Sequence, residues 1–162
     1  MRRIKLCRTG SIGSGTCFAV LLPLGKPDHV QDREPDSLIS GTGCILVVDD
    51  ELAMRTTTEA CLKQCGYHVL LAKNGKNAVS IYRDQSSQID LVICDMVMPE
   101  MNGLDCFHHL QAINPSVRYI LATGFTKPEN IARMNEMGLA GLIKKPYRNT
   151  ELSTLVSSVL SD

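Results

Sequence analysis

The chain has no excess of charge of either sign, since 17 basic and 17 acidic residues cancel. No global field therefore recruits nucleic acid or an anionic membrane surface. It also lacks any apolar run near the ~20 residues that a spanning helix needs. Its seven cysteines (7, 17, 44, 61, 65, 94 and 106) include no Cys-x-x-Cys pair. Cys61 and Cys65 would share a helix face, but no histidine or second cysteine pair completes a zinc site. They read as small buried hydrophobes in a reducing cytoplasm. No secretion signal is expected either. Basic residues precede Cys17–Leu22, but glycines separate them from that run, Pro23 interrupts it and no small-x-small cleavage site follows.

What the sequence does hold falls into three parts. Residues 1–24 carry one readable strand pattern, in which Thr16, Phe18, Val20 and Leu22 alternate with Cys17, Ala19 and Leu21 after a glycine-rich turn. Residues 25–43 are polar, with Pro27, Pro35 and glycines at both ends, and read as a linker. From Cys44 to the end, residues 44–162, strand and helix signals alternate five times. The apolar runs are Ile45–Val48, Tyr67–Ala72, Leu91–Cys94, Val117–Ala122 and Leu139–Ile143. Between them lie helix-length segments, and the last places Leu152, Leu155, Val156, Val159 and Leu160 on one stripe. Repeated βα units joined by right-handed crossovers give a parallel sheet covered on both faces. The predicted fold is α/β: a flavodoxin-like (βα)5 doubly wound domain with strand order 2-1-3-4-5.

In that fold every strand delivers its C-terminal residue to one edge, where ligands bind. The third run ends in Asp95, followed by Pro99 and a turn at Asn102-Gly103. Alone, this carboxylate could be a nucleophile, a metal ligand or a helix N-cap. The first run ends in Asp49-Asp50-Glu51, the fourth in Thr123, and the fifth in Lys144-Lys145-Pro146. Carboxylates at close range repel, and a hard divalent cation relieves that; few oxygen ligands suit Mg²⁺. A cation, a hydroxyl and a lysine facing one carboxylate are the parts that stabilise a transferring phosphoryl group. A flavin site would want a Ser/Thr/Gly-rich phosphate loop after the first strand, where this chain has acids.

The runs ILVVDDE, VICDMVMPEMNG, ILATG and IKKPY closely resemble the receiver domain of two-component response regulators. The resemblance implies that Asp95 accepts a phosphoryl group from a phosphohistidine and becomes an acyl phosphate. It implies Mg²⁺, for which Mn²⁺ could substitute, held by Asp50 directly, Asp49 largely through water, Asp95 itself and the Val97 carbonyl. Thr123 would bond a phosphoryl oxygen, and Lys145 would pair with Asp95 or its phosphate before a cis bond to Pro146. The donor would be a histidine kinase or a histidine phosphotransfer domain, and output would run through binding, back onto a parent kinase or through a face formed by the fourth predicted helix, fifth strand and fifth helix. A homodimer could use the same face. No DNA-binding or enzymatic output domain is expected after residue 162, and the chain promotes its own phosphorylation without holding a complete kinase site. The rival reading is an interaction module, a pseudo-receiver, that works without phosphorylation.

Two positions depart from the family pattern. Leu142 stands where a tyrosine or phenylalanine usually reports phosphorylation, so signalling by an aromatic flip is not expected. Val97 and Phe125, two residues beyond the acceptor and the threonine, are both apolar, and slow self-hydrolysis of the acyl phosphate is expected. Upstream, GSIGSGTCFAVLLPL resembles the last strands of a histidine-kinase ATP-binding domain, with its G-x-G-T turn at Gly13–Thr16. That resemblance implies the C-terminal end of a hybrid sensor kinase. The other ATP-site motifs are absent, so no ATP binding is expected. His108-His109 on a helix read as solvated, and Met96, Met98 and Met101 as loop packing.

Overall fold

The computed structural model describes residues 5–10, 16–21, 37–124 and 137–161. Phe125, the predicted fourth helix, the Gly13–Thr16 turn before Thr16 and most of the linker lie outside the described residues. The chain divides into two units, Met1–Asp36 and Ser37–Asp162. In the first, β1 (Lys5–Gly10) pairs antiparallel with β2 (Thr16–Leu21). The sequence pattern marked β2 and gave no sign of β1.

In the second unit five parallel strands form one sheet. They are β3 (Cys44–Val48), β4 (His68–Ala72), β5 (Leu91–Asp95), β6 (Tyr119–Thr123) and β7 (Gly141–Lys144), in the order β4-β3-β5-β6-β7. Numbered within this sheet, that order is the expected 2-1-3-4-5. The central strands are apolar up to their carboxyl ends because both faces of the sheet are covered. Side chains alternate between the faces. Leu46, Val48, Val92, Cys94, Tyr119 and Leu121 pack with residues of α2 (Gly75–Gln85) and α3 (Gly103–Ile113). Ile45, Val47, Ile93, Ile120 and Ile143 pack with residues of α1 (Leu52–Gln64) and α4 (Asn149–Ser161).

Local chemistry sets where the helices start and stop. Asn74 caps α2 by accepting from Asn77 N at 2.8 Å, and Asn102 caps α3 by accepting from Leu104 N and Asp105 N at 2.9 Å. After α1, Gly66 takes φ +97, the left-handed geometry that glycine adopts without strain. Four cysteines, 61, 65, 94 and 106, are buried thiols, as their apolar settings suggested.

Residues 37–43, polar enough to read as linker, are tied to the sheet unit. Gly41 N donates to Cys65 O at 2.8 Å, Ile39 N to Ser153 Oγ at 3.4 Å, and Leu38 packs against the core. Gly41 lies so close to the Tyr67 hydroxyl that a methyl group there has no room.

Candidate functional site

The site forms at the carboxyl edge of the sheet. β3 runs directly into Asp49, β5 ends in Asp95 and β6 in Thr123, and Lys145 follows β7. Parallel register aligns these ends: Asp95 lies beside Ala122, and Thr123 beside Lys144. Backbone bonds continue past the strands, with Met96 N donating to Ala122 O and Lys145 N to Thr123 O, both at 2.8 Å. The loop after Asp95 and the loop that carries Lys145 are therefore both anchored on β6.

Oxygens of Asp49, Asp50 and Asp95 lie within 4.8 Å of one another, with Asp49 buried, Asp95 half-buried and Asp50 exposed. Neither Asp49 nor Asp95 is spent on capping a helix. Glu51 is the N-cap of α1 and makes no side-chain cap bond, while Asn102 caps α3. Asp49 instead holds its own loop, with Oδ1 accepting from Glu51 N at 2.9 Å. Its Oδ2 accepts from Lys145 Nζ at 2.7 Å, and Asp95 Oδ1 lies 3.0 Å from the same nitrogen. Burial works against the lysine's charge, but bonds to Asp49 and Asp95 outweigh it and hold Lys145 above its ordinary value. The ammonium thus stays protonated across the physiological range.

Three carboxylates and one ammonium leave a formal charge of −3 + 1 = −2. A divalent cation matches it, and carboxylate oxygens are the hard donors that Mg²⁺ takes. The donor set fits the ion that the sequence implied.

A profile of the response regulator receiver domain matches residues 45–157. This chain belongs to the response regulator receiver family. It is 28% identical over 159 residues to the sensor kinase CckA of Brucella abortus, covering 92% of this chain and 17% of that protein. It is 32% identical over 117 residues to the transcriptional regulatory protein ZraR of Escherichia coli, covering 72% of this chain and 26% of that protein. The chain thus spans about a quarter or less of either relative's length. Among solved structures it is similar to a response regulator receiver domain protein from Clostridium thermocellum, with TM-score 0.70, 28% identity, and 74% of this chain and 94% of that one covered. The receiver domain of the hybrid histidine kinase CckA aligns with TM-score 0.62 and 28% identity, over 73% of this chain and 99% of that one.

Around the receiver's acid cluster, the remaining expected residues fall as follows. Thr123 is buried at 6% exposure on the last position of β6. Val97 is 75% exposed in the loop after Asp95. The Lys145-Pro146 bond is cis. Leu142 is half-buried against the core face that includes Tyr119 and Leu121, and carries no ring that could swing. Met98 is buried, with Met96 and Met101 packed against the same cluster. His108 and His109 are exposed. Among the described residues no helix is long and apolar enough to cross a membrane.

Two features of the receiver were not visible in the sequence. Arg55 Nη1 donates to the Asp49 carbonyl at 2.6 Å, adding a tether to the first acidic loop. Gly103 N donates to Met96 O at 3.0 Å, and a Cβ on Gly103 would meet Asp95 O at 2.5 Å. Only glycine lets α3 start that close to the Asp95 backbone. The turn dipeptide Asn102-Gly103 was the available signal, but it spoke of a helix start and not of this approach.

Proposed function

We propose that this receiver accepts a phosphoryl group on Asp95, from a phosphohistidine of a histidine kinase or a histidine phosphotransfer domain. The observation that carries the reading is the Lys145 ammonium held between Asp49 and Asp95, beside Asp50. An Asp95 carboxylate oxygen bonds to phosphorus as the P–N bond breaks. The bonding pair leaves with the imidazole ring, which takes up a proton. Lys145 neutralises charge on the transferring group, and the Thr123 hydroxyl donates to one of its oxygens. Asp49, Asp50, Asp95 and the Val97 carbonyl would hold Mg²⁺ or Mn²⁺, which supplies further charge neutralisation when bound.

Residues 1–24 are read here as the close of a histidine-kinase ATP-binding domain and 25–43 as the linker, its last part (37–43) docked on the sheet unit, making the chain the receiver of a hybrid kinase in the cytoplasm. The match to the sensor kinase CckA over 92% of this chain supports that parentage. A homodimer through a face that includes β7 and α4 belongs to the same reading.

Acetyl phosphate with Mg²⁺ tests the acceptor chemistry. The wild-type chain gains one phosphoryl group by mass, and Asp95→Asn or added chelator prevents it. No gain in the wild type, or equal gain in Asp95→Asn, would overturn the reading in favour of an interaction module that works without phosphorylation.

A further inference from the structure

Three consecutive threonines lie on α1, and they behave differently. Thr56 Oγ1 donates to Leu52 O at 2.8 Å and Thr57 Oγ1 to Ala53 O at 2.9 Å, each bonding back into its own helix. Thr58 is 4% exposed and turns away from the helix. Its Oγ1 lies 3.0 Å from the Tyr147 hydroxyl, across 89 residues of sequence. The Tyr147 ring is half-buried against the core face built from β3, α1 and α4. Its phenol is near enough to feel the charges of Lys145, Asp49 and Asp95.

Tyr147 is two residues beyond Lys145, and Pro146 between them has no N–H to anchor the chain. The backbone at Lys145 is thus held from one side by its N–H on Thr123 O. From the other side it is held by the Tyr147–Thr58 bond. The next ties are Arg148 N to Glu151, within α4's own first turn, and a long contact of the Cys61 thiol on α1 with Asn149 O at 3.8 Å.

We propose that Tyr147 and Thr58 are positioning residues for phosphoryl transfer, pinning the loop after β7 to α1 so that Lys145 stays between Asp49 and Asp95. This rests on the acceptor reading of Asp95. It deepens that reading by assigning roles to two residues that the resemblance left without one. Without the bond, the loop keeps the packing of the Tyr147 ring but loses its Thr58 tie, and the ammonium is held less firmly against the acceptor. The acid cluster is untouched and the competing ammonium is only loosened, so cation binding is not weakened.

The test uses the chain as it stands, with acetyl phosphate as donor and Mg²⁺ varied. In Thr58→Val and Tyr147→Phe the maximal phosphorylation rate falls roughly ten-fold, the rate equivalent of about one hydrogen bond. The Mg²⁺ concentration giving half the maximal rate does not rise. The double variant is no slower than the slower single one, because both lose the same bond. Thr58→Ser, which restores a hydroxyl, restores the rate. Tyr147→Phe keeps its ring in the core and therefore serves if valine at 58 impairs folding. Wild-type rates in both single variants, additive losses in the double, or a matching loss of Mg²⁺ affinity would overturn the proposal while leaving the acceptor reading intact. A wild-type chain that takes no phosphoryl group overturns both.

Discussion

Lys145 Nζ stands 3.0 Å from a carboxylate oxygen of Asp95. It reaches there because β7 lies beside β6 and β6 beside β5, so the ends of three strands open on one edge. The same nitrogen is 2.7 Å from Asp49, which makes it the cation shared by the cluster.

That placement sets two consequences against each other in Lys145→Met. Removing the ammonium takes away a positive charge that competes with a metal for Asp49 and Asp95, so Mg²⁺ binds more tightly by calorimetric titration. Phosphorylation by acetyl phosphate nonetheless slows by roughly a hundred-fold, because a group that offsets charge on the transferring phosphoryl is gone. Weaker Mg²⁺ binding in this variant would contradict the electrostatic account.

Gly103→Ala tests how closely α3 presses on the acceptor. The added methyl would meet Asp95 O at 2.5 Å and Leu121 Cδ1 at 2.6 Å, so either the strand end or the helix start must shift. Thermal or urea unfolding should show a loss of about 1–3 kcal/mol, the usual cost of overpacking. Phosphorylation should fall as well, since the Asp95 backbone is among the atoms displaced. Full stability in the alanine variant would show that the approach is not tight.

The exposed Val97 side chain, two residues past Asp95, offers no polar group to orient an attacking water. Val97→Asn should therefore shorten the lifetime of the acyl phosphate, and Val97→Ala should leave it unchanged. Both follow from the decay of a phosphorylated sample after the donor is removed. An unchanged lifetime in the asparagine variant, or a shortened one in the alanine variant, argues against control by this position.

Alkaline pH should destabilise the fold. Burial, with Cys65 adding to it, pushes the Cys61 thiol up from 9.0 to about 11. Burial raises Tyr82 and Tyr119 above their ordinary values as well. Lys145 is raised too: burial opposes its charge, and its bonds to Asp49 and Asp95 prevail. Each group holds its proton more tightly folded than unfolded. Its contribution is fully present below its unfolded value and is lost as pH rises through the folded one. Tm should fall as pH rises from 9.0, the ordinary thiol value, toward 11. A Tm that holds or rises over that window would contradict these environments.

Much of the site was legible in the sequence because a parallel sheet converts position into proximity. Asp49, Asp95, Thr123 and Lys145 each sit at or just beyond the end of an apolar run, and the topology brings those ends together. What stayed hidden depends on contacts that spacing does not encode. The Thr58–Tyr147 bond joins residues 89 apart, and nothing in a run of three threonines marks the third as different. The docking of 37–43 rests partly on backbone bonds such as Gly41 N to Cys65 O, which a polar composition conceals. β1, with the sequence Lys-Leu-Cys-Arg-Thr-Gly, carries too few apolar residues to announce a strand before its partner is known.

The central claim is that Asp95 itself takes the phosphoryl group. Borohydride reduces an acyl phosphate of aspartate to homoserine, which peptide mass mapping locates. After treatment with acetyl phosphate and Mg²⁺, the peptide containing Cys94 to Met98 should carry homoserine at position 95, and no other aspartate should be converted. Conversion at Asp49 or Asp50, or none anywhere in a chain that has gained phosphate, would contradict the account.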